Sequence, residues 1–250
     1  MIKVAVCGAN GKMGKEVCNA VLEDNQTDLT AKIDLYGEDT YKTIEQAHKN
    51  CEIDVLVDFT QPSSIFENAK YCLNNGIKIV IGTTGLTDVQ IEELKTLSQN
   101  NKTGCLIAPN FSTGAVLMMI FSKMAAKYFD NAEIIEFHHN QKKDAPSGTA
   151  IKTALMMSEA KENFKSGNCV EKETITGSRG GTSYSDIQIH SVRTPGFMAS
   201  QEVIFGSMGQ ILTIRHDSSD RKCYMPGVML GVKHIAQNND FIYGLENLLG

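Results

Sequence analysis

The chain has 250 residues, a formal net charge of −5, and 42% hydrophobic against 21% charged residues. This is a globular composition, and the length suits one large domain or two modest ones. A net negative charge repels phosphate backbones, and a chain without Trp offers few stacking platforms for bases. We therefore expect no nucleic-acid partner, and a small anionic ligand would need a local basic pocket.

Membrane and metal functions also have little support. The longest apolar run, 115–121, is far shorter than the roughly 20 residues that span a bilayer. The first residues lack the apolar core of a signal peptide. The seven cysteines form no Cys-x-x-Cys pair and stand singly among apolar residues, a pattern typical of buried thiols in a reducing compartment. We expect a cytoplasmic protein without a membrane partner and without a metal site.

The first 110 residues alternate short apolar runs with helix-period stretches. This alternation predicts a Rossmann-like, doubly wound parallel sheet with helices on both faces. One helix is predicted over 12–24, and the pairs Ser64 with Glu67 and Thr87 with Gln90 have the spacing of capping boxes. Gly76 stands where the first of these capped helices should end. The predicted strands are 2–7, 29–35, 53–59, 77–81 and 105–108.

The pattern changes after Asn110. A helix over 114–128, a strand over 132–138 and a helix from about Gly148 precede three strands in succession, over 187–192, 201–205 and 210–215. Successive strands predict a second α+β domain with a mixed or antiparallel sheet. Pro226 fits the first turn of a final helix that resembles the first region. We therefore expect one domain from 1–110 with 221–250, and a second domain from 111–220.

A glycine-rich turn joins the first predicted strand to the first predicted helix. Glycines permit a tight turn and close backbone approach, and the helix N-terminus attracts a pyrophosphate. The spacing G-x-x-G-x-x-G departs from the usual G-x-G-x-x-G, and a plain connection with incidental glycines is the alternative interpretation. The turn has the sequence Gly8-Ala9-Asn10-Gly11-Lys12-Met13-Gly14.

Asp34 strengthens the dinucleotide interpretation. It stands at the end of the second predicted strand, where a carboxylate can bind the ribose hydroxyls of an adenosine. The carboxylate should repel a 2′-phosphate and favour NADH, although Lys12 could offset part of that repulsion, so NADPH stays open. A second loop, Gly82-Thr83-Thr84-Gly85, leaves the fourth predicted strand at the same sheet edge. A simple glycine turn would explain this loop alone, but two such loops favour a cofactor crevice.

The segment 133–150 concentrates polar chemistry. It contains His138, His139, Lys142 and a Ser147-Gly148-Thr149 turn that should cap the next helix. Histidine can donate a proton near neutral pH, and a lysine beside a helix start can bind an anion. A surface loop with solvated lysines is the alternative, which the preceding dinucleotide-type fold disfavours. Adjacent histidines rarely chelate one ion, so zinc is not expected.

The same segment resembles the signature of the dihydrodipicolinate reductase family, E-x-x-E-x-H-H-x-x-K-x-D-A-P-S-G-T-A, at every position. The resemblance extends over 8–14, 82–85, 108–112, 192–193 and 221–250. It implies a dinucleotide-binding first domain, and a second domain that binds substrate and builds a homotetramer. It also implies NAD(P)H-dependent reduction of 4-hydroxy-tetrahydrodipicolinate, a cyclic dicarboxylate of lysine and diaminopimelate biosynthesis.

The resemblance also implies roles for single residues. His138 would be the proton donor, His139 a substrate contact and Lys142 the catalytic lysine, with Gly148 and Thr149 binding a carboxylate. Ser147 is expected to join them because it stands at the same helix start. One departure is visible: where the family commonly shows Gly-x-His, this chain has Ala199-Ser200-Gln201-Glu202. We expect it to affect local substrate-domain contacts or tetramer packing. The implied cofactor contacts are Gly8, Ala9, Asn10, Gly11, Lys12, Met13, Asp34, Gly82, Thr83, Thr84, Ala108, Pro109, Asn110 and Phe111.

Two other classes stay open at this point. One is another Rossmann oxidoreductase, such as a homoserine or semialdehyde dehydrogenase. A semialdehyde dehydrogenase needs an acylating cysteine, and no cysteine has a clearly nucleophilic sequence setting. The other is a non-enzymatic NAD-sensing protein, which would not need the polar His-His-x-x-Lys segment in its second domain.

Overall fold

The computed structural model describes residues 1–164 and 171–249, which form two compact units. The first unit comprises Met1–Thr113 and the segment that begins at Arg221, and the second comprises Gly114–Asp220. Each unit is built around one β-sheet. Within the described residues, no helix has both the length and the apolar character needed to cross a membrane.

Strands and helices alternate through the first unit, and strands predominate in the second. The strands are β1 (Ile2–Cys7), β2 (Thr27–Ile33), β3 (Val55–Asp58), β4 (Lys78–Ile81), β5 (Cys105–Ile107), β6 (Asn131–His138), β7 (Gly181–Thr182), β8 (Gln188–Arg193), β9 (Ala199–Ser207), β10 (Gln210–Ser218) and β11 (Phe241–Tyr243). The helices are α1 (Lys12–Glu23), α2 (Ile44–Asn50), α3 (Ile65–Asn74), α4 (Asp88–Asn101), α5 (Thr113–Ala126), α6 (Gly148–Ala160), α7 (Met225–Gln237) and α8 (Glu246–Leu249), with 3₁₀ segments at Tyr184–Asp186 and Arg221–Tyr224.

The sheet of the first unit is parallel throughout and has the strand order β11-β5-β4-β3-β1-β2. Helices must cover both faces of such a sheet, which explains why β3 is buried along its whole length. The chain order reverses between β1 and β3, because β2 lies on the other side of β1. In open α/β sheets, ligands bind outside the carboxyl ends of the strands at this kind of switch point.

The predicted fold class, a Rossmann-like parallel sheet plus a second mixed sheet, is confirmed. β1 lies where it was predicted, whereas β2 begins and ends two residues before the predicted 29–35. Pairing with β1 starts at Thr27, and Leu35 is 73% exposed beyond the sheet. β11 was not predicted, since its three residues become a strand only by pairing with β5.

Of the two predicted capping boxes, the structure contains the one at Thr87 and lacks the one at Ser64. Thr87 accepts a hydrogen bond from the Gln90 N–H and the Gln90 side chain accepts one from the Thr87 N–H, which confirms that capping box. The capping box predicted for Ser64 with Glu67 is wrong. The Ser64 hydroxyl donates instead to the Gln61 carbonyl, and its backbone (φ −114°, ψ −24°) is not extended as a capping box requires.

The sheet of the second unit has the order β10-β9-β6-β8-β7. β6 and β8 are parallel and the other pairs are antiparallel, so the sheet is mixed. On one face the register places Ile134 of β6 between Val203 of β9 and Ile189 of β8. Residues of α6 pack on this face, where all three side chains are buried.

The opposite face of the same sheet is less covered. Ile135 and Phe137 of β6, Val192 of β8 and Ile204 of β9 are only half-buried there. Ile211 of β10, which the register places on this face, is 77% exposed. The face therefore presents an apolar strip at its surface.

Candidate active site

The polar site of the second unit begins where β6 ends. Glu136 and His138 share a face of the sheet because side chains alternate along a strand. β8 runs parallel to β6, with Ser191 paired to Glu136 and Arg193 paired to His138. The register thus brings four polar side chains to one corner of the sheet, next to the apolar row that contains Ile134.

The Glu136 carboxylate is the centre of this corner, and it is fully buried. Arg193 donates to both of its oxygens, at 2.6 and 2.8 Å, and Nδ1 of His138 lies 2.6 Å from Oε2. The Ser147 N–H donates to Oε1 at 3.2 Å. Burial alone would raise the pKa of Glu136, but hydrogen bonds from His138, Arg193 and Ser191 outweigh burial and lower it to about 2. Glu136 is therefore ionised at neutral pH.

The contact with Glu136 fixes the ring of His138. A carboxylate at Nδ1 holds a proton on that nitrogen, so Nε2 is the nitrogen left for a ligand. The side chain is 15% exposed, which leaves the ring a route to a bound molecule. The arrangement resembles the carboxylate–histidine pairs that orient general acids and bases.

The loop after β6 is held by Arg193, the partner of the Glu136 carboxylate. Nζ of Lys142 lies 2.8 and 2.7 Å from the two carboxylate oxygens of Asp144, and this contact lowers the pKa of Asp144. Arg193 also donates to the Asp144 carbonyl at 2.9 Å. The Asp144 side chain is 63% exposed and that of Lys142 only 19%. An anionic ligand could therefore exchange with Asp144 at the ammonium group.

The start of α6 completes the site. Ser147 is the N-cap, and its hydroxyl accepts a hydrogen bond from the Ala150 N–H at 3.2 Å. Gly148 is exposed, and a Cβ at this position would meet no atom within 4 Å. First-turn N–H groups have no intrahelical partner and carry partial positive charge. With Thr149 half-buried beside Gly148, the turn has the chemistry of a carboxylate-binding site.

His139 does not join this group. It is exposed, it follows the last residue of β6, and its Nδ1 accepts a hydrogen bond from the Gln141 N–H at 3.2 Å. Its role as a substrate contact stays a prediction.

The glycine turn of the first unit is sterically required. Gly8 has φ +79°, and a Cβ there would lie 2.4 Å from the Phe59 carbonyl oxygen. A Cβ on Gly14 would lie 2.0 Å from the Gly8 carbonyl oxygen. α1 begins at Lys12, and its N-cap, Gly11, makes no side-chain capping bond. Backbone packing this close is possible only with glycine, and a tight turn at a helix N-terminus whose N-cap has no side chain fits the pyrophosphate of a dinucleotide.

Asp34 lies beside this cradle. Its two carboxylate oxygens accept hydrogen bonds from the Asn10 N–H at 2.9 Å and the Tyr36 N–H at 3.0 Å. A carboxylate has about four acceptor positions, so capacity remains for ribose hydroxyls. A cavity of about 880 Å³ opens here, and its lining includes the carboxyl ends of β1 and β2 and the residues that follow β1, β2 and β3. Lys42 lines this cavity, whereas Lys12 does not.

The remaining predicted cofactor residues lie at the same edge but outside the cavity lining. The Gly82–Thr84 segment follows β4, and Ala108–Phe111 follows β5. Phe111 is buried and its ring centroid lies 5.9 Å from that of Phe59. The hydroxyl of Thr83 is directed to a protein carboxylate, Asp58, at 2.7 Å. The cofactor contacts of these segments stay predictions.

The buried cysteines Cys7, Cys72 and Cys105 have no nucleophilic character. Burial raises the pKa of the Cys7 and Cys72 thiols, and raises that of Cys105 to about 12. This setting disfavours an acylating cysteine at these positions. Cys169 lies outside the described residues. In those residues, no cluster of three or more His, Cys, Asp or Glu side chains could hold a metal ion.

Two family models together match nearly the whole chain. The model of the N-terminus of dihydrodipicolinate reductase matches residues 2–111, and the model of its C-terminus matches residues 114–249. The chain belongs to the dihydrodipicolinate reductase family. The family resemblance drawn from the residue signature is thus confirmed.

Individual relatives agree with this family. A 4-hydroxy-tetrahydrodipicolinate reductase of Streptococcus pneumoniae (strain P1031) is 50% identical over 99% of both chains. The dipicolinate-bound dihydrodipicolinate reductase of Paenisporosarcina sp. TG-14 is 43% identical, with a TM-score of 0.92 over 99% of both chains. A probable dehydrogenase of Thermotoga maritima, at 10% identity and a TM-score of 0.67, shares the fold alone.

Sequence reasoning missed the residues that support the predicted ones. Glu136 belongs to the family signature and stands two residues before His138, so strand alternation could have placed both on one face. Arg193 was noted only as part of the resemblance, and its contact with Glu136 depends on the pairing of β6 with β8. Phe59 and Thr60 line the cavity, and their position after β3 was the available signal.

The low pKa of Glu136 makes a prediction about acid stability. A carboxyl group with a depressed pKa stabilises the fold above its unfolded pKa, and this contribution is lost as the pH falls through about 4.5 towards about 2. At about 1.4 kcal/mol per pH unit, the loss is on the order of 3 kcal/mol. We expect Glu136→Gln to flatten this part of the pH dependence of the free energy of unfolding, measured by urea unfolding and circular dichroism.

Glu92→Gln is the matched control, because the Glu92 side chain is 68% exposed on α4. It should leave the pH dependence of the wild type unchanged. Equal pH dependence in Glu136→Gln and wild-type protein would contradict the prediction.

Proposed function

We propose that this chain is an NAD(P)H-dependent oxidoreductase that converts 4-hydroxy-tetrahydrodipicolinate to tetrahydrodipicolinate in lysine and diaminopimelate biosynthesis. The name of its Streptococcus pneumoniae relative supports this substrate. The observation that carries the proposal is the His138–Glu136 pair beside Lys142 and the open start of α6, which combines a proton donor with an anion site. The free thiols of the described cysteines suit the reducing cytoplasm, where we place the reaction.

We assign the dinucleotide to the predicted domain of residues 1–110 and 221–250, and the substrate to the predicted domain of residues 111–220. The turn at Gly8 and Gly11, at the start of α1, would hold the pyrophosphate, and Asp34 would accept hydrogen bonds from the adenosine ribose. When bound, the dinucleotide supplies the hydride, which no amino-acid side chain can provide. Asp34 favours NADH because its charge repels a 2′-phosphate, whereas Lys42, one of the lysines that line the cavity, keeps NADPH usable.

The two carboxylates of the substrate match two anion sites. One is the Lys142 ammonium, released from its exposed partner Asp144. The other is the Ser147-Gly148-Thr149 turn, where backbone N–H groups point out of the helix. Dipicolinate, which the Paenisporosarcina enzyme binds, is likewise a six-membered nitrogen ring with two carboxylates, and this agrees with a dicarboxylate site.

His138 supplies the proton of the reaction. Loss of the 4-hydroxyl as water, with addition of one hydride and one proton, converts the substrate to tetrahydrodipicolinate. Hydride addition to a conjugated imine leaves an enamine that must gain a proton, and Nε2 of His138 is the donor. Glu136 holds the ring in place through Nδ1, and Arg193 keeps Glu136 ionised. Neither Glu136 nor Arg193 needs to touch the substrate.

We propose further that the second unit builds a homotetramer, as the family resemblance implies. The less covered face of its sheet supports this, because Ile204 is half-buried and Ile211 is exposed on it. A charged cluster lies on the same face, where Glu133 contacts Arg179 at 2.6 Å and His190 at 2.7 Å. An apolar strip with a polar border has the composition of a protein interface.

The proposed reaction predicts substrate-dependent oxidation of the reduced cofactor. NADH and NADPH should both lose absorbance at about 340 nm when 4-hydroxy-tetrahydrodipicolinate is added, with the higher kcat/KM for NADH because of Asp34. Assays without the substrate provide the baseline. If neither cofactor is oxidised when the substrate is added, the proposed reaction is wrong.

The proposed proton donor predicts a specific loss of turnover. His138→Gln should lower kcat by about 10²–10⁴-fold, the usual contribution of a general acid, with a smaller change in the KM for NADH. His234→Gln, in α7, is the matched control and should keep wild-type kcat. If His138→Gln turns over at the wild-type rate, another group donates the proton.

The proposed assembly predicts a particle mass of four times the 27.4 kDa of one chain, measured by sedimentation equilibrium. Ile204→Glu should lower that mass, because it places a charge within the apolar strip. A wild-type mass equal to one chain would exclude the tetramer.

A further inference from the structure

A second buried carboxylate, Asp58, lies at the end of β3 and has no role in the chemistry described above. It is fully buried. Oδ1 accepts hydrogen bonds from the Thr60 N–H at 3.0 Å, the Thr60 hydroxyl at 2.7 Å and the Thr83 hydroxyl at 2.7 Å. Oδ2 accepts one from the Asn68 amide at 2.9 Å. Burial of a carboxylate is costly unless hydrogen bonds replace its water shell, and here four donors do so.

The donors come from three different elements. Thr60 follows β3, Thr83 follows β4 and Asn68 belongs to α3. The Thr60 N–H also lies 2.7 Å from the Thr83 hydroxyl oxygen, and the Gly82 N–H donates to the Asp58 carbonyl at 2.9 Å. The ends of two neighbouring strands are therefore joined by the Asp58 side chain together with two direct hydrogen bonds.

The segment that Asp58 holds touches three of the predicted cofactor segments. The Phe59 carbonyl oxygen occupies the place where Gly8 would carry a Cβ, and the Phe59 ring lies 2.1 Å from the place of a Cβ on Gly82. The same ring packs against Phe111. Phe59 and Thr60 also line the cavity at the strand switch point. A displacement of this segment would therefore disturb both glycine loops.

We propose that Asp58 is a positioning residue for the dinucleotide site. Its carboxylate fixes Thr60 and Thr83, and through them the backbone of the two strand-end segments that receive the cofactor. Thr83 acts through the position of its loop, because its hydroxyl is 2.7 Å from Asp58 and the residue is 8% exposed. The inference rests on the proposed function only in requiring a dinucleotide, and it is independent of His138.

A pair of substitutions at Thr83 tests the inference. Thr83→Val keeps the shape and removes the hydroxyl, whereas Thr83→Ser keeps the hydroxyl. We expect Thr83→Val to raise the Kd for NADH by about tenfold, as loss of a hydrogen bond to a charged group would do, and Thr83→Ser to stay within about twofold of wild type. Isothermal titration calorimetry measures both values without turnover.

A purely structural role would give a different pattern. The positioning role predicts a raised KM for NADH in Thr83→Val with an unchanged KM for the substrate and an unchanged kcat at saturating cofactor. Thr96→Val is the matched control, since the Thr96 hydroxyl donates to the Glu92 carbonyl on α4. This control should bind NADH with wild-type affinity. Wild-type affinity in Thr83→Val, or equal losses in Thr83→Val and Thr83→Ser, would overturn the inference.

Asp58→Asn provides a second test if Thr83→Val fails to fold. The new amide keeps an oxygen for Thr60 and Thr83 but lacks the charge that strengthens their hydrogen bonds. We expect the Kd for NADH to rise several-fold with an unchanged substrate KM, and an unchanged Kd would overturn the inference. Wild-type protein that binds NADH without turnover would contradict the proposed reaction alone, whereas wild-type protein that binds no NADH would overturn both.

Discussion

The charge on Glu136 constrains the whole second unit. A carboxylate without solvent contact loses several kcal/mol of hydration, and at Glu136 a close cation with further hydrogen bonds offsets that loss. Arg193 provides the cation, and it reaches Glu136 only because β8 pairs with β6 in the observed register. The Glu136 carboxylate also accepts hydrogen bonds from His138 and from the Ser147 N–H. Strand, loop and helix therefore meet at a single side chain.

The first unit also contains a buried carboxylate, Asp58, but no cation neutralises it among the hydrogen bonds described above. Asp58 also ends a buried strand and also joins separate segments, but its donors are hydroxyl, amide and N–H groups that carry no net charge. Glu136 instead has a guanidinium partner, which keeps the surrounding corner closer to neutral. This difference suits the two ligands. A dicarboxylate would be repelled by an uncompensated charge beside it, whereas the negative charge of Asp58 lies beneath backbone segments and is surrounded by donors.

Local signals predicted much of this structure. The apolar runs and glycine turn predicted a Rossmann-like unit, and Thr87 with Gln90 predicted a cap, because each depends on residues that are near in sequence. The signature around His138 located the candidate site for the same reason.

Signals that depend on tertiary pairing were missed. The Glu136–Arg193 contact joins residues 57 positions apart and follows from strand register. The direction of the Thr83 hydroxyl depends on Asp58, which lies on a neighbouring strand. Ser64 shows the opposite error, because its spacing to Glu67 suggested a cap that the local backbone does not form.

The position of β11 has a consequence for how the protein is made. β11 pairs with β5, yet the entire second unit lies between them in the chain. During synthesis, β5 leaves the ribosome long before its outer neighbour, so the nascent sheet presents an open edge while the second unit is produced. Open edges are sites of mispairing between nascent chains. The short length of β5, three residues, keeps that temporary edge small.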